Sequence, residues 1–174
     1  MRIVLIGYRA CGKSTVGQLV ADQLGWPLLD VDRGIEQQSG MTLKALYEEQ
    51  GNARYREIEH QVATRMCERD PAVVSFGAGT IMQPANERLA RKDSLVIYLE
   101  LPAEELWRRM QADPHSATTR PNLSSGGMEE VVQMMEQRGP VYQRCADLKL
   151  DGRLAPQQLA DQIVGKATSP QTDN

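Results

Sequence analysis

Residues 3–17 read IVLIGYRACGKSTVG. Ile3 to Ile6 are an apolar run with the length and character of a buried strand, and the run stops at Gly7. From there the chain passes through four residues to Gly12, Lys13, Ser14 and Thr15, the G-x-x-x-x-G-K-[ST] spacing of a phosphate-binding loop. Two glycines let backbone bend and approach a ligand where a Cβ would collide. Lys13 supplies charge at the β- and γ-phosphates, and Ser14 offers a hydroxyl oxygen to Mg²⁺. Beyond Lys13, Val16, Leu19, Val20 and Leu24 recur at helical spacing. The loop therefore delivers its ligand to a helix N-terminus, where free N–H groups and the helix dipole favour an anion. Strand, loop and helix in this order predict an α/β protein that binds a nucleotide, and leave the reaction open.

The bulk properties agree. The chain has 174 residues, 41% hydrophobic and 25% charged, which fits one well-cored domain. A net charge of −3 lacks the basic footprint that a nucleic-acid or acidic-membrane partner asks for. No apolar run has the length of a membrane span, and no secretory leader is evident, so the expected location is the cytoplasm. Cys11, Cys67 and Cys145 have neither disulfide nor metal-site spacing.

Further along, Gly25 is the expected stop of the first helix, and WPLLDVD reads as a second strand with Asp30 and Asp32 at its carboxyl end. Two residues apart on a strand, these acids would share a face. With the second strand ending beside the first, both would reach the space over Ser14: one to help hold hydrated Mg²⁺, the other to take a hydroxyl proton. Residues 34–69 carry no strand signal; Thr42 reads as an N-cap, Gly51 as a helix stop, and NARYREIEHQVATRM as a further helix. There Arg56, Glu59 and His60 fall at i, i+3 and i+4, either a solvated charged face or a guanidinium oriented by a carboxylate.

VVSF at 73–76 reads as a third strand that ends in the turn Gly77, Ala78, Gly79, where bare amides can meet a ligand. A helix at PANERLARK, a strand at 95–99 and a helix at PAEELWRRMQA follow. Residues 113–127 have the composition of a loop, with Arg120 as their one cation, the charge a closing lid would carry. Residues 128–144 read as helix, 148–150 as a fifth strand and APQQLADQIVGKA as the last helix. Strands and helices alternate about five times, which calls for a three-layer α/β/α architecture: a parallel five-stranded sheet, with ligands at the carboxyl ends of its strands. The resulting division is a core of 1–33, 70–112 and 128–168, a helical insertion at about 34–69, a lid at about 113–127 and a tail at 169–174.

Taken together these motifs resemble the shikimate kinases, small P-loop kinases of the nucleoside-monophosphate-kinase type, over roughly residues 1 to 165. The resemblance rests on GYRACGKST, the D-x-D of Asp30 and Asp32, the Y-R-x-x-E of Tyr55, Arg56 and Glu59, the glycine turn after VVSF, the R-P of Arg120 and Pro121, and the R-x-x-x-Y of Arg138 and Tyr142. It implies transfer of the ATP γ-phosphoryl group to the 3-hydroxyl of shikimate, with Mg²⁺, by a monomer. By the same resemblance Lys13 and the loop residues Gly7, Ala10, Cys11, Gly12, Ser14 and Thr15 would hold the phosphates. Ser14 and, through water, Asp30 would hold Mg²⁺. Asp32 would bind shikimate hydroxyls and accept the proton. Arg56 and Arg138 would clamp the carboxylate, with Glu59 orienting Arg56, and Gly77, Ala78 and Gly79 would offer amides to the substrate. Arg120 would swing in to the phosphates, Arg109 would lie along the nucleotide, and adenine would sit near Gly152 and Arg153.

Two departures from the pattern stand out. The family's turn has three glycines where this chain has Ala78 in the middle; a positive φ there would cost about 1–2 kcal/mol, so either the turn accepts negative φ or substrate binding is weakened. The adenine loop around Asp151 to Pro156 is short. The competing assignments are another small-metabolite P-loop kinase, such as one for gluconate or a nucleoside monophosphate, and a nucleotide-binding homologue without activity.

Overall fold

The computed structural model describes residues 1–113 and 126–169. At its centre lies β1 (Arg2–Ile6), buried at every position. Along it Ile3 and Leu5 enter one hydrophobic cluster, and Val4 and Ile6 the other. That is the period of a strand covered on both faces, and it explains why the run has no polar alternation. The five strands are all parallel in the order β2-β3-β1-β4-β5, with β2 at Leu28–Asp30, β3 at Ala72–Ser75, β4 at Ser94–Glu100 and β5 at Leu148–Asp151. The α/β architecture with a five-stranded parallel sheet is as expected.

Two details differ from the sequence reading. The second strand does not lie beside the first, because β3 is inserted between them. Asp32 is not on a strand at all. β2 ends at Asp30, whose carboxylate accepts the Arg33 N–H at 3.2 Å and caps α2 (Val31–Ser39), so Asp32 falls in the first helical turn. Asp is among the preferred N-cap residues, and that preference overrides the alternation of LLDVD. Helix α2 then rides on α3 (Leu43–Cys67) so closely that a Cβ at Gly34 would meet Met66 Cε at 2.5 Å. Thr42 caps α3 through the Ala45 N–H, and Gly51, at φ 78° and ψ 169°, breaks it into the two segments that its sequence suggests.

The remaining helices are α1 (Lys13–Leu24), α4 (Pro84–Arg91), α5 (Ala103–Ala112), α6 (Gly127–Cys145) and α7 (Pro156–Thr168). Gly25, at φ 67°, ends α1 as expected. Pro102 is the N-cap of α5. One hydrophobic layer joins β1 and β3 to Val62, Ile81 and Tyr142; the other joins β1 and β4 to Val16, Val20, Leu159 and Ile163. All strand carboxyl ends thus open on the same edge, where the loops collect. No helix among the described residues is long and apolar enough to cross a membrane.

Candidate functional site

The phosphate loop leaves β1 at Gly7, whose φ of 141° and close quarters exclude any side chain: a Cβ would lie 2.9 Å from both Cys11 Sγ and the Leu99 carbonyl. Cys11 is buried against this bend, a packing role. Ala10 accepts a positive φ of 64°, and Gly12, at φ 101°, is the N-cap of α1 and supplies no side-chain cap. The first-turn amides of α1 therefore keep their capacity for an anion. Lys13 is buried, and its Nζ donates to the carbonyls of Gly7 at 2.8 Å and Tyr8 at 2.9 Å. Those bonds hold the ammonium across the loop that a phosphate would fill.

Ser14 Oγ donates to Asp30 Oδ2 at 3.2 Å. A hydroxyl and a carboxylate make a hard-oxygen pair, and no cluster of three or more acidic, His or Cys residues occurs among the described residues. This donor set suits Mg²⁺, which keeps waters and takes one or two protein oxygens together with substrate phosphates. Although β3 intervenes, Asp30 does reach the start of α1. Asp32 faces elsewhere: its Oδ1 approaches Gly77 so closely that a Cβ there would sit 2.3 Å away.

Beside the loop lies a cleft enclosing about 590 Å³ of empty space, part of it open to solvent, lined by Asp32, Arg56, Glu59, Gly77, Ala78, Gly79 and Arg138. The seven residues expected on the acceptor side thus meet in one place. Arg56 donates to Glu59 at 2.7 Å, and Glu59, 1% exposed, also accepts from Thr80 Oγ1 and Gln83 Nε2, both at 2.9 Å. Three donors fix the carboxylate, and the carboxylate fixes the guanidinium. This resolves the i, i+3 pair in favour of an oriented cation. Ala78 resolves likewise: its φ is not positive, and its carbonyl accepts the Tyr142 hydroxyl at 2.5 Å. The turn accommodates the methyl without backbone strain. His60 meets Asn86, which in turn donates to the Thr80 carbonyl, so it braces the turn from behind.

The cleft also contains Tyr55, from the Y-R-x-x-E motif, and residues to which motif reading gives no role: Tyr8, Arg9, Tyr47 and Glu130. Tyr8 carries Arg9 on its ring at 5.8 Å and Arg138 at 5.7 Å. Burial raises its hydroxyl pKa, against the pull of both arginines. A basic residue between the two glycines of the phosphate loop was the one available signal for Arg9; Tyr47 and Glu130 had none, since their neighbours are remote in sequence.

On the nucleotide side, Arg109 donates to Glu105 at 2.7 Å and to the Gly152 carbonyl at 2.9 Å, and its Nη1 lies 4.0 Å from a Cβ placed on Gly12. It spans the gap between phosphate loop and the Gly152 turn. Arg153 does not join it; this guanidinium is turned to solvent and bound to Asp151 at 2.7 Å. Hydrogen bonds from Arg108 and Arg109 lower Glu105 to about 2, and those from Arg153 lower Asp151 to about 2. Arg120 lies outside the described residues, as do most of 113–127 and the tail beyond 169.

A family model for shikimate kinase matches residues 9–168. A shikimate kinase of Salinibacter ruber is 35% identical over 97% of this chain and 85% of its own length, and one of Caldicellulosiruptor bescii 32% over 93% and 92%. Among solved structures, the shikimate kinase of Acinetobacter baumannii in complex with shikimate superposes with a TM-score of 0.90 at 27% identity, covering 99% of this chain and 95% of that one. The deoxyadenosine kinase of M. mycoides, at 14% identity and a TM-score of 0.62 over 96% of this chain and 98% of its own, shares the fold.

Proposed function

The chain belongs to the shikimate kinase family, and we propose that the residues gathered in its cleft carry the family's reaction in the roles below. The reaction is transfer of the γ-phosphoryl group of ATP to the 3-hydroxyl of shikimate, giving shikimate 3-phosphate and ADP. Lys13, the loop residues Gly7, Ala10, Cys11, Gly12, Ser14 and Thr15, and the first-turn amides of α1 bind the phosphates, and Lys13 exchanges its two carbonyl bonds for phosphate oxygens. Ser14 and Asp30 are the residues that would hold Mg²⁺, which when bound neutralises charge on the phosphates. Arg109 flanks the nucleotide between Gly12 and Gly152. Arg120 is the further cation assigned to the phosphates, and Arg153 to the edge of the base.

Opposite the phosphates, Arg56 and Arg138 take the substrate carboxylate, where a planar fork gives a bidentate grip that lysine cannot. Glu59 holds Arg56 in place beforehand, so less side-chain freedom is lost on binding. Gly77, Ala78 and Gly79 present backbone to the ring. Asp32, seated against Gly77, binds a hydroxyl, aligns its oxygen toward the phosphorus and receives its proton. Phosphoryl transfer runs through a loose transition state, so alignment and cations carry more of the acceleration than proton removal does.

The observation that carries these roles is the convergence of Asp32, Arg56 and Arg138 with the 77–79 turn in one cleft adjoining Lys13. The 34–69 segment then acts as the substrate-binding insertion and 113–127 as the lid. The protein works as a cytoplasmic monomer; among the described residues only Met1, Val132 and Leu154 are large exposed apolar side chains. The test is a coupled ADP-release assay with shikimate, quinate and gluconate, alongside sedimentation. Turnover that needs shikimate and disappears in Lys13→Ala is expected. ATP turnover indifferent to shikimate would overturn the assignment.

A further inference from the structure

Arg9 belongs to the phosphate loop by sequence, yet its side chain lines the acceptor cleft together with Arg56 and Arg138. It is 9% exposed. Its Nη2 lies 3.6 Å from Glu130 Oε1, an ion pair too long for a strong hydrogen bond. Its Nε is the one buried side-chain nitrogen or oxygen among the described residues with no hydrogen-bond partner. A buried donor left unsatisfied is costly, so such groups are few and call for an explanation. The rest of the guanidinium is held in place: Tyr8 lies beneath it, and Glu130, 1% exposed, is itself fixed by the Gly126 N–H at 3.0 Å. The donor is therefore held, buried and unsatisfied on a residue that lines the cleft. The cleft's other two cations are differently placed, Arg56 being tied to Glu59 and Arg138 lying over Tyr8.

We infer that Arg9 is an acceptor-binding residue, donating its Nε–H to an oxygen of the bound acid, so that the loop gripping the donor phosphates also registers the acceptor. The inference rests on the assignment of shikimate as acceptor. One side of the same short loop then meets phosphate and the other meets substrate, which fixes the distance between the two reactants through covalent backbone rather than through a domain contact. Losing a hydrogen bond to a charged group corresponds to about 10- to 100-fold in affinity.

The experiment uses Arg9→Lys, which keeps the charge beside Glu130 and removes the Nε–H. Its KM for shikimate should rise about 10- to 100-fold, while the KM for ATP stays within about twofold of wild type. A second readout needs no turnover: the thermal shift produced by shikimate should shrink sharply in the variant, while the shift produced by Mg²⁺–ADP is kept. An unchanged shikimate KM and shift, or an equal loss on the ATP side, would overturn the role of Arg9. Failure of wild type to use shikimate would instead remove the acceptor assignment itself, so the two failures are distinguishable.

Discussion

A methyl group at Gly77 would sit 2.3 Å from Asp32 Oδ1, inside any van der Waals contact, whereas Ala78 already carries one without strain. The turn's glycines therefore differ in purpose. Gly77 makes room for a carboxylate and Gly79 for a guanidinium, since a Cβ there would meet Arg56 Nη1 at 2.9 Å. We expect Gly77→Ala to push Asp32 from its station and lower kcat/KM for shikimate about 100-fold, the cost of roughly an ångström of misplacement. Ala78→Gly should leave kcat/KM nearly unchanged and lower stability by about 0.4–1 kcal/mol through the freer unfolded chain; steady-state kinetics and urea unfolding of both variants decide. At this scale Lys13, Ser14, Arg56 and Glu59 were legible, because each belongs to a short motif or a helical i, i+3 pair. Arg9 was not: its meaning depends on Glu130, a partner brought to it from α6.

Helices near the cleft owe their shape to caps and breaks. Gly51 holds φ 78° and ψ 169° with nothing within 4 Å of a Cβ, so a substitution meets open space and suffers only in its backbone. Gly51→Ala should cost about 1–3 kcal/mol, or relax by straightening α3. Either way the segment carrying Leu43 and Tyr47, both lining the cleft, shifts relative to Arg56. A raised KM for shikimate with an unchanged KM for ATP is expected; a fall in ATP affinity alone would contradict this. The break itself was readable from one glycine between helical periods, as was the Thr42 cap. α2 was not, because Leu29 to Asp32 alternate as a strand does, whereas in the structure the Arg33 N–H donates to the Asp30 carboxylate and a helix begins there.

At the scale of the whole molecule, local ion pairs on α5 and after β5 make stability depend on pH. Glu105 falls from 4.5 to about 2 under hydrogen bonds from Arg108 and then Arg109. A carboxyl with its folded pKa below its unfolded one stabilises the fold above the unfolded value, and that contribution is lost as pH falls through the folded value. The melting-temperature difference between wild type and Glu105→Gln should therefore be flat above about pH 5 and close between 4.5 and about 2. It should be small and shrink with salt, since the pair is solvent-screened; a difference that grows on acidification would refute the pairing. The sequence by itself determined the phosphate loop, the alternation of strand and helix and the parallel sheet, and it picked out Asp32, Arg56, Glu59 and Arg138 but not Arg9 or Glu130 among the charged residues that line the cleft. Those rest on local rules of spacing, capping and periodicity, which neighbouring residues satisfy among themselves. Only the tertiary structure decided that β3 separates β2 from β1, that Asp30 and Asp32 face different partners, and that Arg9 lines one cleft with Arg56 and Arg138. These outcomes depend on which distant segments pack together, and burial of two apolar faces of one sheet selects that arrangement without leaving a mark on any single stretch of chain.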